Sequence, residues 1–523
     1  MKKLLHIPGI PLACGVGLAL CFPTFHCFPL AWIILVPVFA MARNASPIRA
    51  ASIFLLCGWA FHTILLQWLG TNIYWAGGWA VLGMQGLCLA LTAYWAALGV
   101  LWNRACRHLP PWLGAPCLAA LWPGMEWLHS WNFTGFGWSA LGYSQGPDLA
   151  FAQLASLGGV SFLSFFIVLV NALLAEVWLA KPGRWARLAA AAILIAVAHL
   201  AGAALLGTPQ PRPEPLRAGL FQPNYSQQQK YDWEYTEDMV WRAAEHSRAL
   251  IRETPVELFV WPEALVMNDY QDTELLELLQ QFTRETGADL FTGTVRYDTG
   301  NSASYNSSVL ILRSGEPAGH YDKVHLAPFG EYLPFASLIP FLRAIVPGDV
   351  DFGAGQKVLV QERCAIGPLI CFEVLFPPMA AALRAQGADV LAVITNLGWF
   401  GASNGPAQEW EIARFRAIET RLPLIHSANS GVSGVIDPWG RYEVVDKVLV
   451  RGNRVVRIHP DYATPSAVVQ QRRLGAFDVP QAAPHPWPAG PQSAPWILGT
   501  AGLLMALHAL LAGRRAQGTP APR

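Results

Sequence analysis

The chain has 523 residues and is strongly apolar, since 53% of its residues are hydrophobic and only 14% are charged. This balance excludes an ordinary soluble protein, so part of the chain is expected to lie in a membrane. The formal net charge of +1 lacks the basic excess of a nucleic-acid-binding protein, and we expect no nucleic-acid partner. Cysteines, histidines and carboxylates show no metal-ligand spacing, so we expect neither a metal nor an organic cofactor.

Apolar segments that could cross a membrane occur seven times before residue 210 and once near the C-terminus. A spanning helix needs about 20 mostly apolar residues. The eight candidates are 4–22, 28–42, 50–69, 79–102, 112–128, 157–180, 188–206 and 495–512. The first follows two lysines but no cleavage site, so we interpret it as a retained helix. The pattern predicts a membrane domain over residues 1–209 and a C-terminal spanning helix with a tail over 491–523.

Basic residues fall in alternate loops between these segments. By the positive-inside rule, loops rich in lysine and arginine face the cytoplasm. The residues concerned are Lys2, Lys3, Arg43, Arg49, Arg104, Arg107, Lys181, Arg184, Arg187, Arg514 and Arg515. This pattern predicts that both termini are cytoplasmic and that residues 210–490 lie outside the membrane, which in a bacterium is the periplasmic side of the inner membrane.

One outer loop, over residues 129–156, is rich in aromatic residues and glycine. Trp138 and Tyr143 lie in it, and such residues are often interfacial anchors. The alternative is a rim over which a substrate enters from the membrane, and this interpretation makes Trp138 and Tyr143 candidate substrate-binding residues.

A proline-rich linker over residues 207–215 precedes a stretch with the composition of a globular domain. Hydrophobic periodicity predicts helices over 234–252, 272–286, 376–386 and 406–420, and strands over 216–221, 256–261, 289–295, 306–313, 318–323, 367–372, 389–394, 423–428, 432–436 and 442–448. Strands that alternate with helices favour sheets covered by helices, which predicts an α/β sandwich over residues 210–490. Residues 450–494 are rich in proline and are interpreted as an irregular return to the membrane.

Three predicted strands end at residues that together form a chemical set, namely Glu263, Lys323 and Cys371. A lone cysteine is more often a small buried hydrophobe than a nucleophile. A thiol that is to attack a carbonyl group, however, needs a base and a nearby cation that favours the thiolate. Glu263 can supply the base, and the Lys323 ammonium can also stabilise an oxyanion. The set therefore indicates acyl or amide chemistry through a thioester.

The sequence around these three residues resembles a known family. The segments are Trp261-Pro-Glu263, Tyr321-Asp-Lys-Val-His-Leu-Ala-Pro-Phe-Gly-Glu-Tyr332, Ile370-Cys-Phe-Glu373 and Thr395-Asn-Leu-Gly-Trp-Phe-Gly401. They resemble the nitrilase superfamily and, within it, the membrane-embedded apolipoprotein N-acyltransferase family. The resemblance implies a four-layer αββα nitrilase fold and a Glu-Lys-Cys triad. It also implies a phospholipid donor, attacked at its sn-1 ester, and an acceptor amine on the S-diacylglyceryl cysteine of an apolipoprotein. We expect a monomer.

The resemblance also gives expectations for supporting residues. Glu331 is expected to pair with Lys323, and Glu373 to hold the loop that presents the thiol. Three further residues are expected in the wall of the site, namely Asn396, Trp399 and Phe400, and Phe372 beside the nucleophile is a further supporting candidate. Tyr231 and Trp233 are candidates for substrate binding.

The chain departs from the family pattern at three positions. The family usually carries aspartate at the position of Leu397, tyrosine at that of Phe372 and tryptophan at that of Tyr231. These departures concern how the acceptor is held.

Three alternatives remain at this point. A membrane-tethered amidase would use the same three residues with water as the acceptor. A lipid-binding scaffold without enzymatic activity would not need cysteine, lysine and glutamate together. Finally, Cys364 and Cys371 would share an oxidising compartment and could form a disulfide, which would remove the nucleophile.

Overall fold

The computed structural model describes residues 8–72, 78–132, 135–179, 183–206, 216–230, 232–300, 302–332, 353, 357–361, 364–401, 403–444, 473–480, 482–483 and 493–518. The chain divides into two compact units. The first comprises Met1–Gly70, Gly78–Gly207 and Pro486–Arg523, and the second comprises Thr71–Gly77 and Thr208–His485.

The first unit is helical. Its helices are α1 (Gly9–Ala19), α2 (Val36–Arg43), α3 (Pro47–Leu65), α4 (Trp79–Ala105), α5 (Gly114–Trp131), α6 (Leu149–Ala152), α7 (Ala155–Leu179), α8 (Arg184–Leu205) and α14 (Ala494–Gly518). Short 3₁₀ segments cover Phe28–Trp32, Gln67–Asn72, Pro111–Leu113, Gly137–Ser139 and Leu141–Gln145. Among the described residues, five helices are long and apolar enough to cross a membrane, namely α3, α4, α7, α8 and the part of α14 over Ala494–Leu511. The membrane character predicted from composition is thus confirmed, whereas the count of eight spans stays a prediction.

Three of the eight predicted segments form shorter helices than a simple span. Helix α1 has 11 described residues, which at about 1.5 Å per residue is far shorter than the hydrocarbon core of a bilayer. The segment 28–42 is divided into a 3₁₀ turn and α2, and each piece has a proline in its first turn. Proline fits the first turn of a helix but not its interior, so Pro37 starts a new helix here. Helix α5 has 18 residues with Pro123 inside it.

Helices α5 and α14 approach closely through glycine. A Cβ atom added at Gly499 would lie 2.8 Å from the Cα atom of Gly124, and one added at Gly502 would lie 2.6 Å from the backbone nitrogen of Leu121. Small residues at such crossings let two backbones approach within a membrane protein. The C-terminal helix is therefore packed against α5 by backbone contact.

The second unit contains two six-stranded sheets. Its strands are β1 (Leu216–Gln222), β2 (Leu258–Val260), β3 (Asp289–Asp298), β4 (Ala303–Ile311), β5 (Pro317–Asp322), β6 (Leu359–Val360), β7 (Ala365–Ile370), β8 (Val390–Thr395), β9 (Leu424–Ala428), β10 (Gly434–Ile436), β11 (Tyr442–Val444) and β12 (Arg473–Val479). The first sheet has the order β12-β1-β2-β3-β4-β5 and the second the order β11-β10-β9-β8-β7-β6. The helices of this unit are α9 (Gln227–Lys230), α10 (Trp233–Glu253), α11 (Thr273–Thr286), α12 (Pro377–Ala385) and α13 (Gly405–Thr420).

The alternation of side chains along β1 shows how the layers are arranged. Leu220 belongs to a buried cluster that contains residues of both sheets, including Ile370 and Ile394. The next residue, Phe221, points to the other face and joins a cluster with side chains of α10 and α11. Successive strand residues face opposite sides, so one face of the first sheet packs on the second sheet and the other on helices. With α12 and α13 packed beside the second sheet, the predicted sandwich of sheets and helices is confirmed.

Two strands were missed in the sequence. β12 lies in the segment that we interpreted as irregular, yet Arg473–Val479 pairs antiparallel with the whole of β1. That interpretation was wrong because pairing with β1 satisfies the backbone of β12 although its sequence lacks a strong apolar alternation. β6 has only two residues and pairs with the start of β7. Residues 445–448, which complete the predicted last strand, lie outside the described residues.

Candidate active site

Cys371 stands on a sharp turn at the end of a buried strand. β7 ends at Ile370, and a 3₁₀ turn begins at Cys371 itself. The backbone of Cys371 has a φ angle of 51°, in the left-handed region that residues with a side chain seldom adopt. The turn places the Cys371 side chain at the end of β7, where it packs against the buried cluster between the two sheets.

Glu263 comes from a loop that crosses close behind β3. The loop follows β2, and Ala264 next to the glutamate has a φ angle of 47°. A Cβ atom at Gly293 of β3 would lie 2.7 Å from the Cα atom of Glu263, so this approach requires glycine. The close contact fixes the backbone that carries the Glu263 carboxylate.

Lys323 directly follows β5 and is 1% exposed. Its Nζ atom lies 2.8 Å from Glu331 Oε2 and 3.5 Å from Glu263 Oε1. Burial alone would lower the pKa of this ammonium, but the charges of Glu331 and Glu263 outweigh it and raise the pKa above its ordinary value. Lys323 is therefore a fixed positive charge beside Glu263. Its ion pair with Glu331, which the sequence predicted, is present.

Glu331 is held from its other side by the backbone of its own loop. Its Oε2 atom accepts a hydrogen bond of 2.7 Å from the Ala327 backbone N–H. One carboxylate thus binds both the loop and the Lys323 ammonium, which keeps that ammonium in place.

Asn306 connects the two carboxylates and was missed in the sequence. Its Nδ2 atom donates to Glu263 Oε1 at 2.9 Å and to Glu331 Oε1 at 2.6 Å. The predicted strand over 306–313 placed Asn306 only at its first position, whereas β4 runs from Ala303 to Ile311. Asn306 would have been found if the two predicted strands had been paired as a hairpin in the right register. That register pairs Ser307 with Asp322 and brings position 306 beside Lys323.

Glu373 links the turn of Cys371 to the segment of Lys323. Its Oε2 atom accepts from the Ile370 N–H at 2.8 Å. Its Oε1 atom accepts from the Tyr321 hydroxyl and the Val324 N–H, each at 2.8 Å, and from the His325 N–H at 3.1 Å. Burial raises the pKa of this carboxyl to about 6, against the opposing effect of these hydrogen bonds. The expected support of the nucleophile loop thus has a geometric basis.

Lys230 is a second buried ammonium that the sequence analysis missed. It ends the short helix α9 and is 2% exposed. Its Nζ atom donates a hydrogen bond of 2.8 Å to the backbone carbonyl of Glu263. Burial lowers the pKa of Lys230 to about 8, although the charges of Glu263 and Cys371 oppose this shift. Gln227-Gln-Gln-Lys230 has no apolar stripe, so nothing in the sequence marked this lysine as buried.

The Cys371 thiol is neutral in this environment. Burial raises its pKa well above the ordinary value, and the nearby charge of Glu263 adds to the effect. Lys323 and a hydrogen bond from the Thr395 side chain act in the opposite direction. A thiol with a raised pKa must lose its proton to a base as it attacks. The Glu263 carboxylate is close enough to Cys371 for its charge to affect the pKa of the thiol.

Comparison with known proteins agrees with both units. The family model described as the apolipoprotein N-acyltransferase N-terminal domain matches residues 14–173, and the model described as carbon-nitrogen hydrolase matches residues 217–444. A protein of Geobacter metallireducens named apolipoprotein N-acyltransferase is 32% identical over 446 residues, which cover 82% of this chain and 84% of that protein. One of Azotobacter vinelandii with the same name is 34% identical over 463 residues, with coverage of 83% and 86%.

The chain belongs to the apolipoprotein N-acyltransferase family. This confirms the resemblance seen in the sequence, and the carbon-nitrogen hydrolase match confirms that the second unit has a nitrilase-like α/β fold. Among solved structures, Saccharomyces cerevisiae Nit3, a member of the nitrilase superfamily, is 16% identical with a TM-score of 0.38, covering 52% of this chain and 93% of its own.

Other candidates from the family resemblance lie around the thiol turn. Asn396 is buried and forms side-chain hydrogen bonds with Asn429 and Gln227 at 2.9 Å and 3.2 Å. Trp399 and Phe400 are half-buried in a 3₁₀ turn over Leu397–Phe400 that follows β8. Their part in the family's chemistry stays a prediction.

Phe372, beside the nucleophile, packs in an aromatic cluster. Its ring lies 5.4 Å from the ring of Phe376 and 5.8 Å from that of His325. His325 is half-buried, and its ring centre lies 3.7 Å from that of Phe376. The cluster gives Phe372 a packing role at the thiol turn.

Of the four candidates for substrate binding, the structure describes the side chains of Trp138 and Tyr143. Trp138 and Tyr143 are 2% and 3% exposed within the helical unit, and the Trp138 ring lies 4.6 Å from that of Trp68. These two side chains are thus packed inside their unit. Tyr231 lies outside the described residues, and for Trp233 the structure gives only its place at the start of α10.

The disulfide alternative is wrong for this structure. Cys364 and Cys371 both carry free thiols. Cys364 precedes β7 and Cys371 follows it, so the length of this strand separates them. The thiol on which the family's chemistry would depend is therefore available.

Proposed function

We propose that this chain transfers an acyl group from the sn-1 position of a phospholipid to the N-terminal amine of the S-diacylglyceryl cysteine of an apolipoprotein. Membership in the family supports the reaction class. The observation that carries the assignment of roles is the placement of the Lys323 ammonium against Glu263 and Glu331, beside the turn that presents Cys371. In this proposal Cys371 is the nucleophile, Glu263 the general base and Lys323 the oxyanion stabiliser.

The first half of the reaction forms a thioester. As Cys371 Sγ attacks the ester carbonyl carbon, its proton passes to Glu263. The negative charge that develops on the carbonyl oxygen is stabilised by Lys323, whose pKa keeps it protonated throughout. The bond to the glycerol oxygen then breaks, this oxygen takes the proton from Glu263, and a lysophospholipid leaves.

The second half of the reaction discharges the thioester. The α-amino group of the acceptor attacks the thioester carbonyl, and Glu263 accepts a proton from this nitrogen. The bond to Sγ breaks, the departing sulfur takes the proton back from Glu263, and an amide is formed beside the restored thiol and carboxylate. The two substrates thus react in turn, which predicts ping-pong kinetics.

The same proposal extends to the membrane. We infer eight spans, with seven in residues 1–209 and the last in 491–523, and with residues 210–490 in the periplasm. Five apolar helices and the alternation of basic loops support this topology. Both termini would then be cytoplasmic, in a monomer bound to the bacterial inner membrane. Labelling of single introduced cysteines at residues 43 and 298 with a membrane-impermeant reagent in intact spheroplasts tests it, because only residue 298 should react.

Intact-mass measurement tests the chemistry. The detergent-purified protein is incubated with a phospholipid of defined chains and then with a synthetic diacylated lipopeptide. We expect a mass gain of one acyl group that is absent in Cys371→Ala and that moves to the lipopeptide amine.

Three results would contradict the proposal. An adduct that is discharged by water and never by the lipopeptide would indicate an amidase or esterase. A normal acyl transfer by Cys371→Ala would exclude the thioester. A scaffold without enzymatic activity would give neither an adduct nor an acylated lipopeptide.

A further inference from the structure

A buried carboxyl group lies behind the thiol and has no role in the steps described above. Glu409, in helix α13, is 2% exposed. Its Oε1 atom lies 3.1 Å from the Thr395 hydroxyl. In the parallel pair of β7 and β8, Ile370 lies opposite Ile394, and Cys371 and Thr395 are the residues that follow this pair. The Thr395 side chain also opposes the raised pKa of Cys371, so it lies between the thiol and Glu409.

The surroundings of Glu409 favour a carboxylic acid over a carboxylate. Among the described residues, its Oε2 atom has no hydrogen-bond partner. A buried carboxylate without further donors is far more costly than a neutral acid, whose carbonyl oxygen tolerates the lack of a partner better. Burial and the charge of Glu263 raise the pKa of Glu409 to about 8, against the effects of the Thr395 hydrogen bond and of Lys323. The group is therefore protonated at neutral pH.

The other groups that face Glu409 do not supply a replacement donor. His426 Nε2, on β9, is 4.0 Å from Glu409 Oε1, which is beyond hydrogen-bond distance. His426 Nδ1 donates to the Val432 carbonyl at 2.8 Å, so a neutral ring carries its proton there and has a bare Nε2. Burial lowers the pKa of His426 to about 4. The remaining charged groups in reach are Glu263 and Lys323, and the thiol of Cys371 completes the set.

A threonine hydroxyl has a single hydrogen, and this decides what Thr395 can do for the thiol. When Glu409 is protonated, it donates to Thr395 Oγ1, and the threonine hydrogen is free to point at Cys371 Sγ. When Glu409 is ionised, it takes the threonine hydrogen, and a lone pair of Oγ1 faces the sulfur. The first arrangement stabilises a thiolate, whereas the second disfavours it.

We propose that Glu409 is a positioning residue which, by keeping its proton, orients the Thr395 hydroxyl as a hydrogen-bond donor to Cys371 Sγ. The proton of the thiol still passes to Glu263, and Glu409 retains its own. Ionisation of Glu409 turns the hydroxyl away and places a third negative charge near the site. The inference rests on the proposed role of Cys371 as the nucleophile.

The experiment measures the reactivity of Cys371 directly. The full-length protein in detergent is treated with iodoacetamide between pH 6 and 10, and the alkylation rate at Cys371 is followed by peptide-resolved mass spectrometry. In the wild type we expect the logarithm of this rate to rise with pH and then to bend downwards near pH 8. In Glu409→Gln the amide always donates to Thr395, so the rate should rise without a bend and exceed the wild-type rate about tenfold at pH 9.5, the worth of one hydrogen bond.

Two threonine variants test the inference even if Glu409→Gln does not fold. Thr395→Val removes the hydroxyl at equal size, and we expect about a tenfold loss of alkylation rate at pH 7 and no bend. Thr395→Ser keeps the hydroxyl and should restore the alkylation rate and the bend. Glu411→Gln is the matched control, because Glu411 is a buried glutamate of the same helix whose carboxylate pairs with Arg414 at 2.7 Å instead; its profile should retain the bend.

Several outcomes would overturn the inference. These are a bend that persists in Glu409→Gln, an alkylation rate in Glu409→Gln that is below the wild-type rate at every pH, or a Thr395→Val profile equal to that of the wild type. A purely structural role of Glu409 would give the second of these outcomes. If instead Cys371→Ala still transfers acyl groups, the proposed nucleophile fails, while the alkylation profiles continue to test the connection through Thr395.

Discussion

The carboxylate of Glu373 accepts a hydrogen bond of 2.8 Å from the backbone N–H of Val324. Glu373, two positions after Cys371, thereby holds the residue next to Lys323. Because the same carboxylate also binds the Ile370 N–H, one side chain fixes the relative position of two strand ends. Glu373 thus contributes to the alignment of the thiol with the ammonium.

Replacement of Glu373 by alanine is expected to destabilise the protein and to abolish transfer. It leaves three backbone N–H groups and the Tyr321 hydroxyl without their acceptor. Each buried donor without a partner lowers the free energy of unfolding by about 1–3 kcal/mol. Glu373→Gln keeps one acceptor oxygen and should lose less. Thermal unfolding followed by tryptophan fluorescence, together with lipopeptide acylation, checks this order. Glu443→Gln, at an exposed site, is the control, and equal unfolding temperatures for Glu373→Ala and Glu443→Gln would contradict the role.

Asn306→Asp is expected to reduce thioester formation about 100-fold, as misplacement of a catalytic group does. The substitution removes the donor that holds Glu263 and Glu331 and puts a third carboxylate beside them. Intact-mass kinetics of the first acylation step measure the effect. Tyr305→Phe is the matched control, because this neighbour stacks on Arg296 instead. Retention of the wild-type rate in Asn306→Asp would show that the bridge has no part in the first step.

Lys230 predicts a pH dependence of stability. Its pKa is lowered to about 8 in the folded protein, whereas a lysine in an unfolded chain titrates near 10.4. Between these values the unfolded state binds more protons, so this group makes the folded protein more stable as pH rises, by about 3 kcal/mol in all. The unfolding temperature of Lys230→Met relative to the wild type should therefore be highest at pH 7 and fall towards pH 10.

The control for Lys230 is Lys357→Met, since Lys357 is exposed. Its unfolding temperature relative to the wild type should not change with pH over this range. A constant difference between Lys230→Met and the wild type from pH 7 to pH 10 would refute the lowered pKa.

Gly499→Val is expected to weaken the packing of α14 on α5. The added side chain would collide with the backbone at Gly124, and a collision with backbone is not relieved by a change of rotamer. We expect a lower unfolding temperature and easier proteolytic removal of the C-terminal helix. Gly83→Val in α4 is the control, because nothing lies within 4 Å of a Cβ atom there. Equal behaviour of the two variants would show that the crossing does not contribute to stability.

The sequence predicted those parts of the site that lie at the ends of strands. Glu263, Lys323 and Glu331 follow recognisable apolar runs or a distinctive loop, and the ion pair between Lys323 and Glu331 is present. Strand ends can be predicted because apolar runs and the glycine and proline residues that flank them are local signals. The roles of these residues remain proposals.

Groups that depend on tertiary packing could not be predicted. Asn306, Lys230 and Glu409 are polar residues in segments without a local sign of burial. Helix α13 shows the reason most clearly, because all of its residues from Gly405 to Thr420 are buried although five of them are charged. A helix buried on every side has no amphipathic stripe, and its glutamates look like those of a solvent-exposed helix.

The left-handed backbone at Cys371 sets stability against chemistry at one position. A residue with a side chain is less stable in this conformation than in the right-handed region by about 1–2 kcal/mol, and glycine would remove that strain. In a library of random variants screened only for thermal resistance, Cys371→Gly would be enriched. The same variant would disappear from a library screened for growth that requires mature lipoproteins. In the proposed mechanism, the thiol would thus be maintained by selection for turnover, against the preference of its own backbone.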